Sequence, residues 1–293
     1  MTPQLSVVVA AVGERPALEP TLRAIAEACE GFTVEVLVVG AARAGSTGSS
    51  PSYRLVEARE DDLVPVRWGR GVAECSAPLI AFTSTEFLVG RGWARKLLGA
   101  LAGDVAGIAG TIGLPPGAGM TDTAMYLLRF SSFAPVGVAS SGTVRDIPGD
   151  NAIYRAEDIR RHPDLLDGGF WEVEFHRRFE GEGRRLLLVP DQLAEFSASA
   201  SLVVRALQRF RHGRQFGATR VINRGESWWR ILLASPLVPL VMVQRITQRI
   251  GRSSYGLRLV LKSAPALLLL AGAWASGEAV GGLATRWRRS GEA

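Results

Sequence analysis

At 293 residues and 47% hydrophobic, the chain is long and apolar enough to bury one large core, or one domain plus an appendage, which argues against disorder. Its two cysteines, Cys29 and Cys75, have no CxxC or Cys/His spacing, which argues against a disulfide framework or a zinc site. The formal charge of +6 hides an asymmetry: residues 201–293 carry 15 Lys and Arg against three acids, a net +12, while the first 200 carry 19 against 25, a net −6.

In chain order, the opening MTPQLSVVVAAV has no basic stretch before its apolar run. No signal peptide is predicted, and the body is expected in the cytoplasm. Leu5–Ala11 reads as a buried strand, Pro20–Cys29 as a helix with apolar spacing, and Val34–Val39 as a second buried strand. Strand, helix, strand with short loops makes a βαβ unit, which calls for a parallel sheet covered on both faces. The alternation continues with a helix over Val72–Ala77, a strand over Leu79–Thr83, a helix over Trp93–Ala102 and a strand over Val105–Ile112. Ligands of open α/β sheets sit at the C-terminal strand ends, so the loops after Val9, Val39 and Phe82 are expected to line a site.

Between Gly113 and Asp146 the composition turns to Gly, Ser and Pro with one helical patch at Ala124–Phe133, as in a substrate loop. A turn into a short strand follows at Gly149–Arg155, then a charged helix at Trp171–Glu182 closed by Gly183, then a last strand at Arg184–Pro190. The domain division is therefore 1–200 for the α/β body and 201–293 for a basic, apolar, helical region. This region begins with a basic helix over Leu202–Arg220.

Its arginines flank the apolar runs ILLASPLVPLVMV and APALLLLAGAWA, which suits an anionic membrane surface and not nucleic acid. Ile231–Val243 is 13 residues with two prolines, short of the roughly 20 that a span needs, and Ala264–Ala284 is interrupted by Glu278. A spanning hairpin would also carry Arg245, Arg249, Arg252, Arg258 and Lys262 to the far side, against the positive-inside tendency. In-plane or re-entrant helices are therefore expected. The plain alternative is a pair of core helices in a soluble cap.

Several segments, in order, resemble the family-two glycosyltransferases: SVVVAAVGERPALEPTLRAI, EVLVVGAARAGSTG, RGVAECSAPLIAFTSTEF, IPGDNAIYRAEDI and GGFWEVEFHRRFEGEGRRLLLVP. The resemblance covers about residues 4–191 and implies a GT-A fold: a Rossmann-like, nucleotide-diphospho-sugar transferase mixed sheet flanked by helices, here followed by membrane-associated helices. It also implies inverting transfer of a sugar from a nucleotide-diphosphate donor to a hydroxyl, as in a hexosyltransferase of envelope polysaccharide or glycolipid synthesis. Glu172 falls where the family has its catalytic Asp and Glu174 where a second acid lies, with Arg178, Phe179, Gly183 and Pro190 completing the register. Asp150 and Asn151 match the acceptor-side turn.

Two departures concern the donor. In place of an Asp-rich D-x-D the chain reads Phe82-Thr83-Ser84-Thr85-Glu86, so Ser84 and Glu86 are the donor-side residues left, and Glu86 the one carboxylate for a divalent cation, Mg²⁺ or Mn²⁺. One carboxylate suffices where phosphates and water complete the shell. Otherwise Arg209, Arg211 and Arg214 would neutralise the diphosphate. Gln208 and Arg211 match part of a Q-x-x-R-W motif, with His212 replacing the Trp. Val39-Gly40-Ala41 lacks the family's base-reading Asp, leaving Gly40 backbone groups or Glu14 to read the base. A lipid-linked acceptor follows from the tail. The competing readings are a catalytically inactive relative of the same fold acting as a membrane-bound scaffold, and a binder of anionic lipid through the tail alone.

Overall fold

A computed structural model describes residues 2–13, 18–41, 52–138, 140–197 and 200–290. They form two compact units, Met1–Pro115 with Phe133–Ala198, and Pro116–Ser132 with Ser199–Ala293.

The first unit opens with β1 (Leu5–Ala10), α1 (Leu18–Ala28), β2 (Val34–Gly40), β3 (Arg54–Glu57), α2 (Val64–Glu74) and β4 (Leu79–Ser84). Every residue of β1 is buried, as a strand covered on both faces requires. The strands β3, β2, β1 and β4 lie side by side and parallel. Next come β5 (Phe87–Val89), α3 (Trp93–Ala100) and β6 (Val105–Gly113). The helix α4 (Met120–Phe130) belongs to the second unit. The first unit resumes with β7 (Gly142–Val144), β8 (Ala152–Arg155), α5 (Ala156–Arg160), α6 (Pro163–Leu166), α7 (Glu172–Gly181) and β9 (Arg185–Phe196).

The described sheet runs β3-β2-β1-β4-β8-β6-β9-β5, with β7 on β9. It is mixed because β8 enters antiparallel between β4 and β6. That reversal sets the site: the start of an antiparallel strand lies beside the end of its neighbour, so Ala152 pairs with Phe82 and the turn before it lands at the C-terminal end of β4. An aromatic core of Trp68, Phe82, Tyr154, Phe170, Phe175 and Phe179 packs α2 and α7 onto this part of the sheet. Trp68 donates its indole N–H to the Thr83 carbonyl at 2.8 Å.

Glycines allow the close approaches. A Cβ on Gly107 would stand 2.5 Å from the Tyr154 ring, and one on Gly69 2.6 Å from the Gly169 Cα. At the opposite, N-terminal edge, Glu35 accepts from Ser6, from the Ser76 N–H at 2.6 Å and hydroxyl at 2.9 Å, and from the Ala77 N–H at 3.3 Å. Burial pushes this carboxyl up, but the hydrogen bonds outweigh burial and hold it below the usual range. A lowered folded value means that the stabilisation is complete above the unfolded value and is lost as pH falls through the folded one. Glu35→Gln is expected to cost about 1–3 kcal/mol at neutral pH and to flatten the acid limb of stability, read by urea unfolding at several pH values. An unchanged acid limb would refute this.

The second unit continues with α8 (Leu202–Arg224), α9 (Trp228–Ala234), α10 (Val238–Ile250) and α11 (Ser254–Ser290). Gly213 and Gly217 on α8 face Gly277 and Gly281 on α11. A Cβ on any of the four would overlap a backbone carbonyl of the other helix, at Trp274, Glu278, Phe210 and Arg214 respectively. Two small-xxx-small pairs thus bring the backbones together, a packing that works without water-driven burial.

Several sequence expectations are corrected. The helix expected at Val72–Ala77 is α2, which starts at Val64 because Pro65 supplies its first turn and ends at Glu74. The strands β3 and β5 were not foreseen; β3 is a half-exposed edge strand with polar ends, and β5 has three residues. The apolar runs are longer than the composition suggests. Trp228–Ile250 continues for 23 residues, and Ser254–Thr285 for 32, each long and apolar enough to cross a membrane. Pro236 and Pro239 do not break the first, because both occupy first-turn positions of successive helical pieces, where no N–H is needed. Glu278 does not break the second, because it is buried against Arg220, which also bonds Glu226.

Candidate active site

The first unit's site is built around the turn Gly149–Asn151, delivered to the end of β4 by the antiparallel entry of β8. Asp150, 1% exposed, accepts from the Ser84 hydroxyl at 3.2 Å, and the same hydroxyl oxygen accepts from the Glu86 N–H at 3.4 Å. Thr85 ties this turn to the end of β1: its N–H donates to the Ala10 carbonyl at 3.0 Å and its hydroxyl accepts from the Val12 N–H at 2.9 Å.

Glu172, in the first turn of α7, reaches the same place. Its carboxyl carbon lies 3.3 Å from where a Cβ on Gly149 would stand, with the Trp68 ring at 2.9 Å from that point. A side chain at position 149 would displace both. Behind them Tyr154 is fully buried; burial pushes its phenol well above the ordinary value, and the charges of Glu172, Asp146 and Asp150 add to the effect. Glu172 and Asp150 thus act on one common interior group.

Sequence reasoning left His176 unassigned. Its Nε2 lies 2.9 Å from the Tyr154 hydroxyl and its Nδ1 3.0 Å from Asp146. Burial lowers its pKa although Asp146 pulls the other way, so the ring is neutral at pH 7. The Nδ1 proton then goes to Asp146, and Nε2 accepts from the tyrosine. This relay anchors α7 one turn beyond Glu172. Its signal in the sequence was the i, i+4 spacing from Glu172, which alone does not separate a buried from a surface histidine.

The other predicted residues are distributed as follows. Asn151 has its amide engaged internally, accepting from Trp93 at 2.7 Å and donating to the carbonyls of Gly110 at 2.9 Å and Thr111 at 3.1 Å. It holds the turn to β6. Glu174 lines a hollow with Leu165, Arg177, Arg178, Gly181 and Glu182, a lining that includes no residue of the Gly149 turn. Gly40 ends β2, and its carbonyl accepts from Ala58 at 2.9 Å. Glu14 lies outside the described residues. Gln208 and Arg211 lie on α8 of the second unit, where Gln208 accepts from Arg205 at 2.9 Å and Arg211 is exposed.

Among the described residues no group of three or more His, Cys, Asp or Glu is gathered to hold a metal ion. The donor chemistry fits an ion sharing Glu86 with phosphate oxygens and water, and does not fit an all-protein metal cage.

The overall likeness is to a solved structure of the mannosyltransferase PcManGT from Pyrobaculum calidifontis in complex with GDP-Man and Mn²⁺. The TM-score is 0.54 and the identity 18%, over 97% of this chain and 88% of that one. The chain therefore has a glycosyltransferase-like Rossmann fold, a mixed sheet flanked by helices, with two apolar C-terminal helices. No protein-family model matches it, and no curated protein sequence does.

Proposed function

We propose that the chain is an inverting glycosyltransferase that moves a sugar from a nucleotide-diphosphate donor to a hydroxyl group, with Glu172 as the general base. The observation that carries this reading is the chain of contacts from Glu172 across Gly149 and Asp150 to Ser84 and Glu86, at the C-terminal strand ends where ligands of such sheets bind. The likeness to a mannosyltransferase holding GDP-Man and Mn²⁺ supports it.

In this mechanism the acceptor oxygen forms its bond to the anomeric carbon on one face as the bond to the diphosphate breaks on the other. Glu172 takes the hydroxyl proton, and the nucleoside diphosphate departs with the bonding pair. Asp150 holds Ser84 and thereby shapes the Ser84–Glu86 turn. A Mg²⁺ or Mn²⁺ ion at Glu86 would supply positive charge for the departing phosphates. The acceptor is a lipid-linked hydroxyl and the second unit is seated in the cell membrane from its cytoplasmic face. Support for that seating comes from a 23-residue helical run about 34 Å long, against a hydrocarbon core of about 30 Å, with Leu233, Leu237 and Leu240 70%, 62% and 62% exposed.

Titration of the purified chain with a panel of nucleoside diphosphates, with and without Mn²⁺, tests the donor site. One nucleotide is expected to bind, with a Mn²⁺ dependence that Glu86→Ala removes. Binding of no nucleotide under any condition would favour the second reading, a non-catalytic membrane scaffold, which draws on Thr83-Ser84-Thr85 standing where a carboxylate-rich metal loop would be.

A further inference from the structure

The arginine-rich segment of α8 contains a buried side chain, Arg209, with no counter-charge among the described residues. Arg209 is 7% exposed, yet no carboxylate or carbonyl among the described residues accepts from it, and its Nε is a buried donor left without an acceptor. Its guanidinium stands 5.8 Å from the centre of the Trp274 ring on α11. Arg220, eleven residues further along the same helix, shows the contrast, since it is matched by Glu226 and Glu278.

A buried guanidinium without a counter-ion is strongly unfavourable, and one aromatic face offsets only part of that cost. The surrounding field is also positive. His212, one turn on, is pushed down to about 3 by burial and then by Arg209 and Arg129. Burial and Arg129 push Arg209 down to about 9, which still leaves it charged at neutral pH. Two cations acting on one buried point favour a ligand with more than one negative charge. A guanidinium edge pairs two N–H donors with two oxygens of a phosphate.

We infer that Arg209 anchors a phosphate-binding site within the second unit, one that takes a phosphate ester or diphosphate. The phosphate can come from the nucleotide or from a lipid headgroup, since the recognising chemistry is the same. This inference goes beyond sugar transfer and would hold for a catalytically silent protein.

The test uses the full chain in a non-ionic detergent, with inorganic pyrophosphate as one probe and micelles doped with a polyprenyl monophosphate as the other. Thermal midpoint and calorimetric binding are read for the wild type, Arg209→Met and Arg209→Lys. At least one probe is expected to raise the wild-type midpoint. Binding is expected to fall at least about tenfold in Arg209→Met, and also in Arg209→Lys, which keeps the charge but loses the two-donor edge. Without ligand, Arg209→Met is expected to melt at or above the wild type, because an uncompensated buried charge is gone.

A response to pyrophosphate alone identifies the nucleotide as the source, and one to the polyprenyl phosphate alone identifies the lipid. If neither probe binds the wild type, or if both variants bind as the wild type does, the inference is overturned; the wild-type and lysine arms decide even if the methionine variant fails to fold. Phosphate binding at Arg209 without sugar transfer would refute the catalytic reading and leave this one standing.

Discussion

Replacing Glu172 with glutamine is expected to lower the turnover of sugar transfer by about 10²–10⁴-fold while nucleotide-diphosphate binding stays unchanged. Glutamine keeps the shape that rests beside Gly149, so the turn and the aromatic core remain intact. What disappears is the proton acceptor. Because Asp150 is the carboxylate of the Gly149–Asn151 turn itself and already accepts from Ser84, the informative companion is Asp150→Asn. That variant should disturb the Ser84–Glu86 turn and hence donor affinity more than turnover. If Glu172→Gln keeps full turnover and Asp150→Asn loses it, the base has been misassigned.

Gly169→Ala is expected to destabilise the first unit by about 2–5 kcal/mol, combining backbone strain with overpacking. Gly169 has φ +102°, a region that residues with a Cβ rarely adopt, and its added methyl would stand 2.6 Å from both the Pro65 carbonyl oxygen and the Val66 Cα. Those atoms are backbone in the first turn of α2 and cannot rotate away. The next residue donates its N–H to the same Pro65 carbonyl at 2.7 Å, which fixes where Phe170, and then α7, begins. A fall of roughly 5–15 °C in the melting midpoint should accompany the change. Any residual activity should fall as well, since Glu172 is three residues further on. A variant that melts within a degree or so of the wild type would show that the α2 backbone yields more readily than close packing implies.

The parallel half of the sheet was readable in the sequence because β1, β2 and β4 are predominantly apolar runs bounded by glycine or helical spacing. The strand β3 was not, because an edge strand with Arg54 and Glu57 at its ends carries no apolar period. Glu172 was singled out because its segment resembles a family pattern of acids, arginine and glycine. Its partner groups were not: Gly149, Trp68 and Ser84 are distant in sequence and meet only because β8 runs antiparallel between β4 and β6.

The length of the apolar helical runs was underestimated for a related reason. A proline or a glutamate in an apolar run counts as an interruption until its surroundings are known. Pro236 and Pro239 fall where helical pieces start, and Glu278 meets Arg220 from another helix.

By itself the sequence determined the alternating α/β plan and the charge division near residue 200, since these depend on local periodicity and composition, while the candidate base came through a family resemblance. Only the tertiary structure decided which polar groups are satisfied within the fold and which are not. Asn151 and Gln208 turned out to be internally engaged, His176 to be a buried relay, and Arg209 to be buried with no acid paired to it among the described residues. The physical reason is that a polar side chain's role depends on whether its hydrogen bonds are met within the fold, and those partners come from elements far apart along the chain.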